Sequence, residues 1–99
     1  MRLQILDAAR DDFIAGFDFH EARGQGIGDH FLACLYSDVE SLRILGGIHR
    51  RVYKNLQRSL SKRFPFAIYY TVENDAVVVR AILDCRRNPS WIRSKLRNA

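Results

Sequence analysis

Arg58, Lys62, Arg63, Arg86 and Arg87 are the residues of this 99-residue chain whose types and spacing best suit chemistry. The arginines are permanently charged and present planar forks to phosphate or carboxylate oxygens, and the lysine adds a mobile point charge. Tyr70 and Trp91 bring aromatic faces that a ligand or partner can pack on. Charge placement supports the same emphasis. Residues 1–42 contain three Lys/Arg and eight Asp/Glu, whereas residues 43–99 contain thirteen and three, so halves of −5 and +10 make up the net +5. A C-terminal half this basic predicts a surface for a polyanion or an acidic partner.

Other chemistries find less support. Cys34 and Cys85 form no CxxC pair, and His20, His30 and His49 show no ligand spacing with them, so we expect two small buried thiols, no metal and no cofactor. No apolar run approaches the roughly 20 residues of a membrane span. Residues 1–7 lack the apolar stretch of a secretory signal, which predicts a cytoplasmic protein with no membrane partner. A hydrophobic fraction of 47% is enough for one core, and the whole of 1–99 reads as a single domain.

The elements that must position the cations follow from periodicity. Arg2–Leu6 alternates as a short strand. Asp7 is a candidate cap for a helix from Ala8, with Asp11 and Asp12 in its first turn and a face of Ala9, Phe13, Phe17 and His20, flanked by Ile14. Gly24, Gly26 and Gly28 break it, and a second helix runs to Leu45 with a stripe of Ile27, Phe31, Leu35, Leu42 and Leu45 before Gly46-Gly47. The period then changes to two: Leu56–Leu60, Phe66–Val72 and Ala76–Leu83 read as strands, with Asn74-Asp75 as a turn. Ser90 is a candidate cap for a basic helix Trp91–Arg97. The expected order is β-α-α-β-β-β-α, an α+β domain with an antiparallel sheet packed against an N-terminal helical hairpin and a short C-terminal helix. Tyr69 and Tyr70 must face opposite sides, one to the core and one free to line the basic face. By the same alternation Arg86 and Arg87 divide into one structural and one exposed arginine.

Three segments then resemble the RelE/ParE toxin superfamily of type II toxin–antitoxin systems. Arg63-Phe64-Pro65-Phe66-Ala67-Ile68-Tyr69-Tyr70 is similar to its R-F-P-Y-x-I-Y-Y strand entry, Asp84-Cys85-Arg86-Arg87-Asn88-Pro89 to its H/D-x-R-R-x-P ending, with Trp91 nearby, and Gly26-Ile27-Gly28-Asp29-His30-Phe31 to its G-L-G-x-x-F helix start. The resemblance implies a cytoplasmic toxin, growth inhibition or plasmid stabilisation, and neutralisation by a cognate antitoxin with an acidic, amphipathic segment. It also implies one of two activities: ParE-like inhibition of DNA gyrase, or RelE-like cleavage of mRNA in the ribosome.

Metal-free RNA cleavage needs a base for the 2′-hydroxyl, cations for the pentacoordinate phosphate and an acid for the leaving oxygen. The lysines that RelE-like toxins carry on the second strand fall near Gln57 and Ser59, the third-strand arginine near Ala67, and the C-terminal tyrosine near Trp91–Arg93. Only the C-terminal arginine persists, as Arg86 or Arg87. The expected reading is therefore ParE-like and non-enzymatic, with a target-binding set of Arg58, Lys62, Arg63, Tyr70, Arg86, Arg87 and Trp91. A nuclease would draw on Arg58, Arg63, Arg86 and Arg87, with His49 and Tyr53 available for proton transfer, and a third reading is an antitoxin-binding module without toxicity.

Overall fold

A computed structural model describes residues 1–99. Strand β1 (Arg2–Ile5) leads into helices α1 (Asp7–Glu21) and α2 (Ile27–Leu45); strands β2 (Arg51–Tyr53), β3 (Leu56–Leu60), β4 (Phe66–Glu73) and β5 (Ala76–Asp84) follow, and then α3 (Pro89–Arg97). The sheet order is β1-β5-β4-β3-β2. The α+β class, the helical hairpin and the C-terminal helix are as expected. The sheet itself is mixed rather than antiparallel, because β1 runs parallel to β5 with Arg2 opposite Ala76 and Ile5 opposite Val79. It also gains β2, an edge strand too short to announce itself by alternation.

Turn chemistry fixes the β4–β5 register. Asn74 and Asp75 sit at φ +48° and +62°, the left-handed pair that matches the twist of a tight hairpin. Tyr69 lies opposite Ala81 and Tyr70 opposite Val79, which leaves Arg80 as the extra residue of a bulge. Between the helices, Gly26 takes φ +87° and leaves no side chain to cap α2. The Glu21 carboxylate at the end of α1 does so instead, accepting the Gly26 N–H at 3.1 Å and the Gly28 N–H at 2.9 Å. Gly28 must stay bare, since a Cβ there would come within 2.7 Å of the Phe17 ring.

The hairpin covers one face of the sheet. Ala9, Phe13, Phe31, Leu35, Val39 and Leu42 pack onto Phe66, Ile68, Tyr70, Val77, Val79 and Ile82. The other face is covered by α3, whose Leu96, Trp91 and Ile92 lie over Leu56, Ala67, Tyr69, Ala81 and Leu83. Several side chains depart from the sequence reading. Ile14, Ile27 and Leu45 are exposed, because the α1–α2 contact is narrower than their apolar character suggested. Leu6, not Asp7, stands before α1 and makes no side-chain cap; Asn88, not Ser90, caps α3 by accepting the Ser90 N–H at 2.8 Å. The cysteines are free thiols, but Cys34 is only half-buried and Cys85 is exposed, since the strand ends before it.

Asp12 has a structural task that its helix position did not suggest. Strand β1 pairs with β5 only as far as Val79, and beyond it the Asp12 carboxylate accepts the Ile82 N–H at 2.9 Å. Burial raises the Asp12 pKa, opposed by that hydrogen bond and by the Lys95 charge. The fold thus holds this proton more tightly than the unfolded chain does. The stability it contributes is complete below the unfolded pKa and is lost as pH rises through the folded one. Asp12→Asn keeps an acceptor oxygen and abolishes the titration. Between about pH 4 and 7, denaturant unfolding should show the parent losing more stability than the variant, and equal losses would contradict the assignment. Asp12→Ala, which strands the Ile82 N–H, should cost about 1 kcal/mol near pH 4 and less near pH 7, where the parent has lost the contribution of the proton.

Candidate functional site

The α3 side of the sheet carries the concentrated charge. Alternation along β3 puts Arg58 on the same side as Leu56, and the β3–β4 register sets Arg58 directly opposite Tyr69. Cys85 and Arg87 come from the turn after β5, and Arg93 from α3. Together these five residues line a pocket of about 310 Å³, floored by Val52, Ile92 and Leu96. Three of the lining residues are arginines, and no carboxylate forms an ion pair with any of them. At the rim, the Arg87 guanidinium lies 3.8 Å from the centre of the Trp91 ring, and Lys95 approaches the same ring at 5.5 Å. That contact orients Arg87 while leaving its fork free to bind.

Two protons in the pocket are held more firmly than usual. Burial raises the Tyr69 hydroxyl, a charge on Cys85 would raise it further, and the Arg58 guanidinium opposes both. Burial also raises the Cys85 thiol, again against Arg58 and with Asp84 adding to the rise. Both groups are protonated at neutral pH, and neither serves as a general base. His49, the alternative proton carrier, is on the other side of the sheet. Its Nδ1 is bonded to the Tyr70 hydroxyl, which accepts the Gly47 N–H at 3.1 Å and donates to Gln57 Oε1 at 3.0 Å. Burial lowers the His49 pKa, so the ring is neutral and occupied in a structural network. The pocket thus brings arginine side chains together with two protonated hydroxyl and thiol groups.

No family model matches the chain, and no curated protein matches it. Nine chains among solved structures do match. A chain of the chromosomal ParDE toxin–antitoxin system from P. aeruginosa superposes with a TM-score of 0.77 at 16% identity, over 83% of this chain and 92% of that one. The isolated RelE toxin of E. coli gives 0.52 at 15% identity over 99% and 98%, and the intact E. coli RelBE toxin–antitoxin complex 0.51 at 16% over 87% and 98%. The chain has the RelE/ParE fold.

On this RelE/ParE fold the cationic set expected from the sequence divides into three groups. Arg58 and Arg87 meet in the pocket, with Trp91 at its rim. Arg86 sits beside them, but its guanidinium is committed to Asp84 by bonds of 3.0 and 2.8 Å, and Asp84 is held below the usual carboxylate range chiefly by that contact. Both arginines are exposed in a turn, so the expected strand alternation does not apply to them. Lys62 and Arg63 lie elsewhere, in a recess against α2 with His30, Cys34 and Asp38. The nearly buried Asp38 carboxylate draws that loop inward, accepting the Ser61 hydroxyl at 2.7 Å and the Lys62 N–H at 3.3 Å. Tyr70 is fully buried under the helices, and the tyrosine on the basic side is Tyr69. Sequence reading missed Tyr69, Cys85 and Arg93 as pocket residues. Alternation showed that the two tyrosines diverge, but only the register with Arg58 decides between them.

Proposed function

We propose that the chain is the toxin of a type II toxin–antitoxin pair, that it acts ParE-like by inhibiting DNA gyrase, and that a cognate antitoxin neutralises it. The observation that carries this reading is the pocket of Arg58, Arg87 and Arg93: three unpaired cations with no base among them. Such a site grips an anionic surface and stabilises bound charge without transferring a proton. The fold agrees, with the higher TM-score to the ParDE chain than to the RelE chains. A partner with an acidic, amphipathic segment complements the +10 half-chain, covers the pocket and so silences the protein.

Induced expression without a partner should arrest growth, and a small acidic protein encoded in the adjacent reading frame should restore it. Normal growth with abundant folded protein would instead support a binding module without toxicity. The second reading is RelE-like mRNA cleavage, for which Arg58 facing the Tyr69 hydroxyl supplies a cation and a proton donor. Primer extension on cellular mRNA separates the two: cuts at the ribosomal A site would replace the gyrase reading, and intact messages during arrest would support it.

A further inference from the structure

The recess against α2, about 450 Å³, holds chemistry that the arginine pocket does not use. His30 and Cys34, one turn apart on α2, line it together with Asp38, Lys62 and Arg63. The Cys34 Sγ lies 3.8 Å from His30 Nδ1 and 3.9 Å from His30 Nε2, which places the imidazole to take the thiol proton. The Phe64 ring packs against that imidazole with centroids 5.5 Å apart and restricts its rotation. Cys34 is half-buried, so its sulfur is reached from the recess. Lys62 and Arg63 form no ion pair, and the recess sets one carboxylate, Asp38, against the two of them.

Asp38 supplies an independent observation. Only 8% of it is exposed, and both donors from the β3–β4 loop, the Ser61 hydroxyl and the Lys62 N–H, go to Oδ2. Its Oδ1 accepts no hydrogen bond from the protein, although a carboxylate oxygen so nearly buried ordinarily has a donor. The recess thus offers an acceptor for a ligand N–H, two cations for ligand carboxylates, and a thiol with its own base. Cys85 lacks this setting: burial raises its thiol, and no histidine lines its pocket. The two cysteines lie on opposite sides of the sheet, Cys34 with the helical hairpin and Cys85 towards α3, so they do not bridge each other. A disulfide partner for Cys34 therefore comes from outside the chain.

We propose that Cys34 is a modification site that exchanges with a small peptide disulfide bearing carboxylates and N–H groups, of which glutathione disulfide is the type. His30 takes the Cys34 proton, and the thiolate attacks one sulfur of the disulfide. A new S–S bond forms to Cys34 as the old one breaks, and the departing thiolate is protonated. Cys34 is oxidised to a mixed disulfide, and the released half of the peptide disulfide is reduced to a thiol. Lys62 and Arg63 hold the carboxylates, and Asp38 Oδ1 accepts an N–H. Positively charged, partly exposed surroundings with an adjacent histidine are those in which cysteines react. The exchange does not depend on the gyrase reading.

Mass spectrometry of the reduced, folded chain during incubation with glutathione disulfide tests it, with digestion to locate the adduct. Cys34 should gain one glutathionyl group about tenfold faster than Cys85 does. His30→Gln should slow Cys34 about tenfold, because an unassisted thiol is only a few per cent thiolate at neutral pH. Lys62→Glu with Arg63→Glu should slow glutathione disulfide about tenfold without slowing cystamine, a disulfide that carries ammonium groups and no carboxylate. All three side chains are exposed, so the variants keep the fold, which circular dichroism verifies. Modification of Cys85 at an equal rate, an unchanged rate in His30→Gln, or equal slowing of both disulfides in the double variant would overturn the proposal.

Discussion

Phe31→Ala should destabilise the protein by about 3–5 kcal/mol. Phe31 is fully buried where the two helices and β4 meet. Its ring stacks on His20 with centroids 4.5 Å apart and meets Phe66 edge-on at 4.9 Å and Phe64 at 5.3 Å. Gly16 lies under the ring so closely that a Cβ would come within 2.5 Å, so this side chain is one of the contacts that set the α1–α2 spacing. Alanine would forfeit the transfer free energy of the ring and leave a cavity that rigid neighbours cannot close. Domains of this size are stable by only about 5–15 kcal/mol, so the loss is a large share of the total. Thermal unfolding should show the midpoint falling by roughly 12 °C or more. A fall of only a few degrees would mean that the aromatic nest is not what joins the hairpin to the sheet.

The second large effect concerns the pocket. Arg58→Glu with Arg87→Glu should abolish growth inhibition while the fold survives. Both side chains are exposed and neither forms an ion pair, so the stability cost is small, on the order of 1 kcal/mol each from the Arg87–Trp91 contact and from the Arg58 contact with the Tyr69 hydroxyl. Against a bound anion, two charge-assisted contacts at about 1.5 kcal/mol each amount to roughly a hundredfold or more in affinity. The same reversal at Lys62 and Arg63, in the recess beside α2, should leave inhibition in place. Growth assays on the two double variants, with circular dichroism to verify folding, check this. Equal loss of inhibition in both would mean that total charge and not the pocket is responsible.

The contrast between these arginine and lysine pairs marks how far sequence could lead. The β4–β5 hairpin was legible because Phe66–Val72 and Ala76–Leu83 have strong strand propensity and Asn74-Asp75 supplies a left-handed turn. The helical hairpin was legible from its glycines and stripe. Strand β2 was not, since Arg51-Val52-Tyr53 owes its conformation to pairing with β3 and not to its own pattern. The parallel partner of β1 was hidden for a similar reason: it joins residues more than seventy positions apart. Site residues suffered most from this non-locality. Lys62 and Arg63 are next to the correct strand in sequence, but the buried Asp38 carboxylate turns their loop towards α2. Arg86 reads as equivalent to Arg87 until Asp84 is seen to claim it.

Gyrase supercoiling of relaxed plasmid in vitro tests the central claim most directly. The purified chain should suppress supercoiling in a dose-dependent way, the Arg58→Glu, Arg87→Glu variant should not, and the cognate antitoxin should restore activity. Full supercoiling at a large excess of folded, growth-arresting protein would contradict the account.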